Sequence, residues 1–242
     1  MNLLLLDNSD FIAPDRVRIT GRRFLQLRNT IKPVPGELLR AGISNGMVGN
    51  ALLHEINDEY AELSVVCESA PPEPSSVELV CALPRPQTFR KVIHCALTMG
   101  VKKIHFIHAR KVEKSYWEAS MLDPGELDLE FRLALEQCGD TIFPQLEFHK
   151  RFKIFAEDVL PQLAAEAQLA LFGHPRAELK MPVPPENGKI LLAVGPEGGF
   201  TDYEVELLAA NGVTPVTLGR RTLRTEHAVP ALLAILKPPT LR

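Results

Sequence analysis

Two short glycine-containing stretches hold the residues of this chain whose types and spacing are best suited to binding a ligand. The first is GPEGG at residues 195–199, which follows an apolar run and precedes an amphipathic segment. The second is LGRRTLRTE at residues 218–226, which follows a strand-like run and precedes an apolar segment. Glycine lets backbone N–H groups approach a ligand closely, so two such stretches can close around one molecule.

The composition of the first stretch limits what that ligand can be. Neither GxGxxG for a dinucleotide nor GxxxxGK[ST] for a nucleoside triphosphate is present, and Glu197 would repel a pyrophosphate. A phosphate-free, positively charged ligand with many hydrogen-bonding edges suits the stretch better. S-adenosylmethionine, with its adenine, ribose, ammonium and sulfonium groups, meets this description. A tight glycine turn that binds nothing remains the alternative.

The elements around these stretches place them at the edge of a sheet. Thr201 and Glu204 form a capping box, and Asn211-Gly212 ends the pattern, which together predict a helix over 201–211. Residues 195–199 would then lie at the carboxyl end of a buried strand, which is where open α/β sheets bind ligands.

The rest of the chain divides at a stretch rich in proline, serine and glutamate. We predict a β-barrel domain over 1–70, a linker over 71–77, and an α/β domain over 78–242. The predicted strands of the first domain are 36–43, 47–56 and 60–67, and its one predicted helix is 22–31. Strands alternate with helices after the linker, which predicts a mostly parallel sheet. The predicted strands are 77–83, 101–109, 145–149, 169–173, 189–195 and 213–219. The predicted helices are 86–100, 126–139, 156–168, 201–211 and 226–236.

Composition points to a soluble cytoplasmic protein that has no bound metal. The 242 residues carry a net charge of −3, and no apolar run reaches the length of about 20 residues that spans a bilayer. The start MNLLLLDNSD lacks the basic residues of a signal peptide. The four cysteines show no CxxC pairing and no histidine spacing that suits zinc.

The two stretches together resemble the carboxyl-terminal motifs of the RsmE family, enzymes that methylate N3 of a uridine in 16S ribosomal RNA with S-adenosylmethionine. GPEGG paired with LGxxxLRTE is a specific combination. The similarity extends over nearly the whole chain, through HPRA at 174–177, LEQCG at 135–139, MGVKKI at 99–104 and IKPVPGELLR at 31–40.

The resemblance implies a fold, an assembly and a cofactor site. It implies a SPOUT-type α/β domain with a carboxyl-terminal trefoil knot, a PUA-like β-barrel before it, and a homodimer. Transferred position by position, the pocket for S-adenosylmethionine consists of Gly195, Pro196, Glu197, Gly198, Gly199, Leu218, Gly219 and Leu223, with Leu192 and His174 at its border. His174 is equally well explained as a structural histidine.

Several positions depart from the family pattern. Asp140 stands where an arginine is expected, and Cys95 and Thr98 replace a lysine and a glutamate. Lys32 replaces an arginine, and His227 stands where a small residue or threonine is usual. These departures leave the cofactor motifs intact and bear on the choice of target base.

Basic residues indicate where RNA would bind. Residues 85–114 contain one acid, Glu113, among eight lysines and arginines. Phosphate contacts dominate RNA affinity, and we predict contacts from Arg22, Arg23, Arg28, Lys32, Arg85, Arg90, Lys91, Arg110, Lys111 and Lys114. Solvated surface is the alternative for each of them. Tyr116 and Trp117 either stack on a base or pack between subunits.

The chemistry of the implied reaction suggests two catalytic residues. Methylation at N3 requires loss of the N3 proton and stabilisation of charge on the uracil oxygens. Our hypothesis assigns the second task to Arg224, with Glu226 orienting it or accepting the proton. A local ion pair between them is the structural alternative.

Other functions remain open from sequence alone. The chain could methylate a different RNA base, or bind RNA without catalysis. A nucleotide-dependent oxidoreductase is disfavoured because GxGxxG and a ribose-binding acid are missing.

Overall fold

A computed structural model describes residues 2–236 and divides the chain into two compact units. The first unit runs to Glu73 and also includes Arg132–Phe143. The second consists of Pro74–Phe131 and the chain from Pro144 onward. The last six residues of the predicted second domain lie outside the described residues.

The first unit is built on a curled, barrel-like sheet of six strands. The strands are β1 Leu4–Leu6, β2 Phe11–Ala13, β3 Arg16–Ile19, β4 Leu38–Ile43, β5 Val48–Ile56 and β6 Ala61–Ser69. Their order is β1-β4-β5-β6-β3-β2, antiparallel except for the parallel pair β1 and β4. Helix α1, Gly21–Gln26, continues as π-helical turns over Leu27–Ile31 and adds Phe24 and Leu27 to the core.

Three predicted strands of this unit are confirmed, and β1 to β3 were missed. β4, β5 and β6 match the predicted segments at 36–43, 47–56 and 60–67 to within a few residues. The leucine run at 3–6 shows no alternation because both of its faces are buried. Leu4 and Leu6 join one apolar cluster, while Leu3 and Leu5 join another with Leu135.

The second unit contains a six-stranded, wholly parallel sheet. Its strands are β7 Val77–Ala82, β8 Lys103–Ile107, β9 Gln145–His149, β10 Leu169–Gly173, β11 Ile190–Val194 and β12 Thr214–Val216. All six predicted strands are present, although β12 is shorter than the predicted 213–219. Every residue of β7 and β11 is buried, as expected for a parallel sheet covered on both faces.

Helices connect the strands of this sheet. They are α2 Pro86–Thr98, α3 Pro124–Cys138, α4 Phe152–Ile154, α5 Leu160–Glu166, α6 Asp202–Ala210 and α7 Thr225–Leu236. α4 and α5 are joined by π-helical turns over Phe155–Val159, and α3 ends within the first unit. No helix in the described range has the length and apolarity needed to cross a membrane.

The strand order creates a reversal in the middle of the sheet. The order is β12-β10-β11-β7-β8-β9, so β8 and β9 lie on one side of β7 while β11, β10 and β12 lie on the other. The loops that follow β7 and β11 therefore lead in opposite directions. Ligands of open α/β sheets bind at such reversals, beyond the carboxyl ends of the strands.

Candidate cofactor-binding site

A cavity lies at the carboxyl ends of β10, β11 and β12, and both glycine stretches line it. It is closed by the start and middle of α7, which contribute Thr225, Ala228 and Leu232. The other lining residues are Gly173, His174, Pro175, Val194, Gly195, Pro196, Glu197, Gly198, Gly199, Phe200, Val216, Thr217, Leu218, Gly219, Arg221, Thr222 and Leu223. The structure therefore brings together two stretches that are about twenty residues apart in the chain.

The first stretch is held by the cap of α6. Thr201 Oγ1 accepts a hydrogen bond from the backbone N–H of Glu204, and Glu204 Oε2 accepts one from the N–H of Thr201 at 2.8 Å. This confirms the predicted capping box. Gly195 lies against the ring of Phe200, where an added Cβ would come within 3.1 Å. The stretch is thus a capped turn in which a side chain at Gly195 would press against the Phe200 ring.

The second stretch is shaped by a glycine and joined to the first by a threonine. Gly219 has a φ of +123°, which side chains rarely adopt. Its N–H donates to Thr217 Oγ1 at 3.1 Å. Thr225 is buried, and its hydroxyl lies 3.5 Å from the carbonyl oxygen of Gly195. A Cβ at Gly199 or Gly219 would meet no atom within 4 Å, so both glycines border open space.

Glu197 is exposed at the rim of the cavity. One carboxylate oxygen lies 3.4 Å from the backbone N–H of Arg85, in the loop that follows β7. This contact spans the reversal in strand order. The carboxylate is therefore both part of the cavity lining and a contact between the loops after β7 and β11.

The loop after β8 is tied to the first glycine stretch by two hydrogen bonds. The backbone N–H of Arg110 donates to Glu204 Oε1 at 2.6 Å, and Lys111 Nζ donates to the carbonyl oxygen of Gly198 at 2.7 Å. Glu204 is almost fully buried, so one carboxylate completes the α6 cap and also anchors the loop after β8. The sequence pattern gave no signal for this connection.

The two predicted catalytic residues differ sharply in burial. Arg224 is exposed just before α7, while the Glu226 side chain is 7% exposed. Glu226 Oε1 lies 3.8 Å from Lys91 Nζ, and Oε2 is buried with no hydrogen-bond partner among residues 2–236. A hydrogen bond with its own backbone lowers the pKa of Glu226, and the charge of Lys91 lowers it further. The carboxylate is therefore ionised at neutral pH.

Two predicted border residues occupy different positions. His174 lines the cavity, and its backbone N–H donates to the carbonyl of Val216. Burial lowers the pKa of its imidazole. Leu192 is fully buried within β11, behind the lining residues. Gly173 and Thr225 also line the cavity, but the sequence analysis did not predict them as site residues. Gly173 could have been recognised, because it is a glycine at the end of a predicted strand.

The predicted RNA-contacting residues fall into three groups. Arg22, Arg23 and Arg28 form ion pairs in the first unit with Glu136, Asp10 and Asp58. In the second unit Arg90 pairs with Glu126 and Glu130, and Lys91 with Glu226. The remaining positions, which are exposed, are Lys32, Arg85, Arg110, Lys111 and Lys114.

The aromatic pair after the basic loop packs within the second unit. Trp117 Nε1 lies 2.6 Å from His108 Nδ1, and its ring meets Phe148 edge-on. Tyr116 donates its hydroxyl hydrogen to Glu113 at 3.0 Å. Both side chains remain partly exposed.

The positions that depart from the family pattern have local roles. Asp140 accepts a hydrogen bond from the N–H of Ile142 at 2.9 Å, in a buried turn. Thr98 donates to the carbonyl of His94 one helical turn earlier. Lys32 ends the first helix with a left-handed φ of 54°. Burial raises the pKa of the Cys95 thiol.

Comparison with known proteins identifies relatives that match over most of this chain. Residues 71–237 match the family model described as RNA methyltransferase domain. The chain is 27% identical to ribosomal RNA small subunit methyltransferase E of Treponema pallidum, over 98% of this chain and 90% of the relative. It is 28% identical to the ribosomal RNA small subunit methyltransferase E of Synechocystis, over 92% of this chain and 75% of that relative.

A solved structure shares the fold along the whole chain. The crystal structure of a ribosomal RNA small subunit methyltransferase E from Neisseria gonorrhoeae, bound to S-adenosyl methionine, superposes with a TM-score of 0.76. It is 20% identical and covers 97% of this chain and 95% of its own. This likeness establishes the mixed α/β fold with its parallel sheet.

Proposed function

Because the chain belongs to the RNA methyltransferase family, among the RsmE proteins, we propose that it methylates small-subunit (16S) ribosomal RNA with S-adenosylmethionine, at N3 of a uridine. The observation that carries the proposal is that residues 195–199, 218–219 and 221–223 line one and the same cavity. Those residues are the ones on which the family resemblance rests. The described part of the chain therefore has its most distinctive sequence where a cofactor would bind.

The lining of the cavity fits a cationic, phosphate-free cofactor. Val194, Leu218, Leu223 and Leu232 offer apolar surface for an adenosine, and the glycines leave backbone groups accessible. Glu197 supplies a negative charge at the rim, which favours an ammonium or a sulfonium and disfavours phosphates. When bound, S-adenosylmethionine supplies an electrophilic methyl group.

Residues at the start of α7 are suited to the chemistry at the uracil. Glu226 is ionised, largely buried, and has one oxygen without a hydrogen-bond partner in the described chain, so it can accept a proton or orient a donor. Arg224 is exposed and free to turn toward a bound base. Its guanidinium would stabilise negative charge developing on the uracil oxygens.

The exposed cations of the second unit support RNA as the substrate. Arg85 and Lys111 lie on the loops after β7 and β8, and both contact the glycine stretch of the cavity. Phosphate groups held there would be near the cofactor. Lys32 and Arg28 in the first unit supply further cations, although Arg28 is paired with Asp58.

The finer features of fold and assembly are part of the proposal. We infer that the segment after β12 threads into a trefoil knot and that the first domain, residues 1–70, is a PUA-like RNA-binding barrel joined through 71–77 to a SPOUT domain. A homodimer and a cytoplasmic location follow from the same family assignment.

The test is mass mapping of methylated uridine in 16S ribosomal RNA from a strain that lacks this gene. We expect one N3-methyluridine to disappear and to return when the gene is restored. An unchanged methylation pattern would contradict the proposed function. Loss of a methyl group from a different base would redirect the substrate assignment.

A binding measurement separates catalysis from RNA binding alone. Calorimetric titration of the purified protein with S-adenosylmethionine should give one site per chain. If no binding is detected while the protein still binds ribosomal RNA, the chain is a non-catalytic homologue.

A further inference from the structure

A second cluster of functional groups lies on one face of the parallel sheet, away from the cofactor cavity. Glu78 projects from β7, His105 from β8, and Glu147 and His149 from β9. His105 and Glu147 are direct partners in the pairing of β8 with β9. The proposed methyl transfer uses none of these side chains.

The buried member of the cluster has a fixed orientation. His105 is 3% exposed, and its Nε2 lies 2.6 Å from Glu78 Oε1, so that nitrogen carries the proton. Lys189 Nζ lies 2.6 Å from the other oxygen of Glu78. Burial tends to raise the pKa of Glu78, but its bonds to His105 and Lys189 lower it to about 2. Glu78 is thus a permanent carboxylate, and the Nδ1 lone pair of His105 points away from it.

Three acceptor atoms converge on the Nδ1 side of His105. His105 Nδ1 lies 3.1 Å from His149 Nε2, and Glu147 Oε2 lies 3.5 Å and 3.6 Å from these two nitrogens. A tetrahedral zinc with bonds of about 2.0–2.1 Å needs separations of about 3.3–3.4 Å between ligand atoms. The three observed separations are close to that value.

The hydrogen bond within the cluster joins the two ring nitrogens and does not include Glu147. Only one proton fits between the two ring nitrogens, and the distances to Glu147 are too long for hydrogen bonds of ordinary strength. A divalent cation is the partner that would engage all three lone pairs at once.

We propose that His105, His149 and Glu147 bind a divalent transition metal, with Zn²⁺ as the best fit. Glu78 is the outer carboxylate that orients His105, an arrangement common at histidine-zinc sites. Glu147 is 61% exposed, which gives the ion a path of entry and leaves a fourth position for water. The ring of Phe155 packs 4.8 Å from that of His149 and covers the opposite side.

The position of the site in the sheet indicates a structural role. Within residues 2–236, β9 is an edge strand that pairs with β8 alone. A metal held by one residue of β8 and two of β9 would join these strands and stabilise the folded state. Stabilisation by a bound ion grows as RT ln(1 + [ion]/Kd), so it can be read from the unfolding temperature.

The experiment is titration of the full-length protein with Co²⁺ and Zn²⁺ after treatment with a chelator. We expect one equivalent of Co²⁺ to produce visible bands of a four- or five-coordinate site, without the near-ultraviolet band of thiolate ligands. Zn²⁺ should displace it and raise the unfolding temperature. The absence of stoichiometric binding would overturn the proposal.

Two matched pairs of variants locate the site. Glu147→Gln and His149→Gln should each weaken metal affinity by tenfold or more. Glu157→Gln removes another exposed carboxylate, and His94→Gln removes another histidine that is paired with a carboxylate; both should leave affinity unchanged. Glu147 is exposed enough that its variant should fold, so unaltered affinity in Glu147→Gln would itself disprove the assignment.

Discussion

The ammonium group of Lys111 lies 2.7 Å from the carbonyl oxygen of Gly198, so a residue of the basic loop after β8 is bonded directly to the cofactor-site glycine stretch. The sequence alone assigned Lys111 to RNA and Gly198 to the cofactor. Their contact gives one side chain a place in both proposed sites.

Replacing Lys111 by methionine should therefore weaken cofactor binding as well as RNA binding. A charge-assisted hydrogen bond at an exposed position contributes about 0.5–1 kcal/mol, which corresponds to a twofold to fivefold rise in the Kd for S-adenosylmethionine. Calorimetry measures the effect. Lys114→Met, three residues away, is the control and should change RNA affinity alone. Equal affinities for S-adenosylmethionine in the wild type and both variants would show that Lys111 does not contribute to cofactor binding.

Replacing Gly219 by alanine should damage the cavity through the backbone. A φ of +123° is nearly restricted to glycine, and forcing a side chain into it costs about 1–3 kcal/mol. We expect cofactor affinity to fall by about tenfold. Gly125→Ala is the control, because Gly125 lies in α3 at an ordinary φ with no atom within 4 Å of the added Cβ. It should leave affinity unchanged.

Replacing Glu226 by glutamine should slow methyl transfer far more than it weakens cofactor binding. General-base or orienting roles contribute about 10²-fold or more, whereas Glu226 does not line the cavity. Single-turnover rates and calorimetry separate the two. Lys91→Met removes the ion-pair partner and keeps the carboxylate, so its loss of rate should be smaller. An unchanged transfer rate in Glu226→Gln would remove it from the mechanism.

The lowered pKa of Glu226 also predicts the pH dependence of the wild-type rate. The carboxylate stays ionised from about pH 5 upward, since an ordinary glutamate titrates near 4.3. Any rise in the rate of methyl transfer between pH 6 and 9 should persist in Glu226→Gln, because such a rise reports loss of the N3 proton from the substrate uracil. Loss of that rise in the variant would assign the titration to Glu226 instead.

Replacing Arg23 by methionine should reduce stability rather than only RNA affinity. Its side chain is 15% exposed and makes two 2.7 Å bonds to Asp10, which is itself 9% exposed. Removing one partner of a buried pair costs about 3 kcal/mol because the other charge is left without compensation. Urea denaturation tests this. Arg16→Met should cost far less, because the Arg16 side chain is 45% exposed and its partner Glu62 keeps its pair with Arg18. Equal losses of stability in the two variants would contradict a structural role for Arg23.

Asp7 should make the first unit more stable at neutral than at acid pH. Burial tends to raise the pKa of Asp7, but hydrogen bonds from Ser44 and Arg132 lower it below its ordinary value of 3.8. A lowered pKa contributes stability above the ordinary value and loses it as pH falls through the folded-state value. Asp7→Asn should thus cost about 1 kcal/mol at pH 7 and less below pH 3.8. Asp58→Asn is the control, because the Asp58 side chain is 90% exposed. Its stability should differ little from that of the wild type at every pH.

Contiguous patterns predicted the helices and the cavity. The α6 cap needs Thr201 and Glu204 only three residues apart, and each glycine stretch is continuous in sequence, so local spacing was sufficient. β4 to β6 and all six strands of the second sheet were recognised from their apolar patterns.

Features that depend on strand register could not be predicted. His105 meets Glu147 and His149 only because β8 pairs with β9 in one particular register. The sequence analysis predicted no metal site because it looked for zinc ligands close together in the chain. That approach does not find ligands that strand pairing brings together from distant positions. The ion pairs of Arg22 and Arg23 depend instead on how α1 packs within the first unit, which local sequence patterns do not reveal. Both residues were predicted to contact RNA.

The two-sided burial of β1 has a consequence for how the chain folds as it is synthesised. Leu3 and Leu5 pack with Leu135, and the N–H groups of Asn2 and Leu3 donate to the carbonyl of Glu136. Since a ribosome makes the chain from its amino terminus, β1 leaves it well before α3, which contains Leu135 and Glu136. During that interval Leu3 and Leu5 are without the α3 residue that covers them in the folded protein.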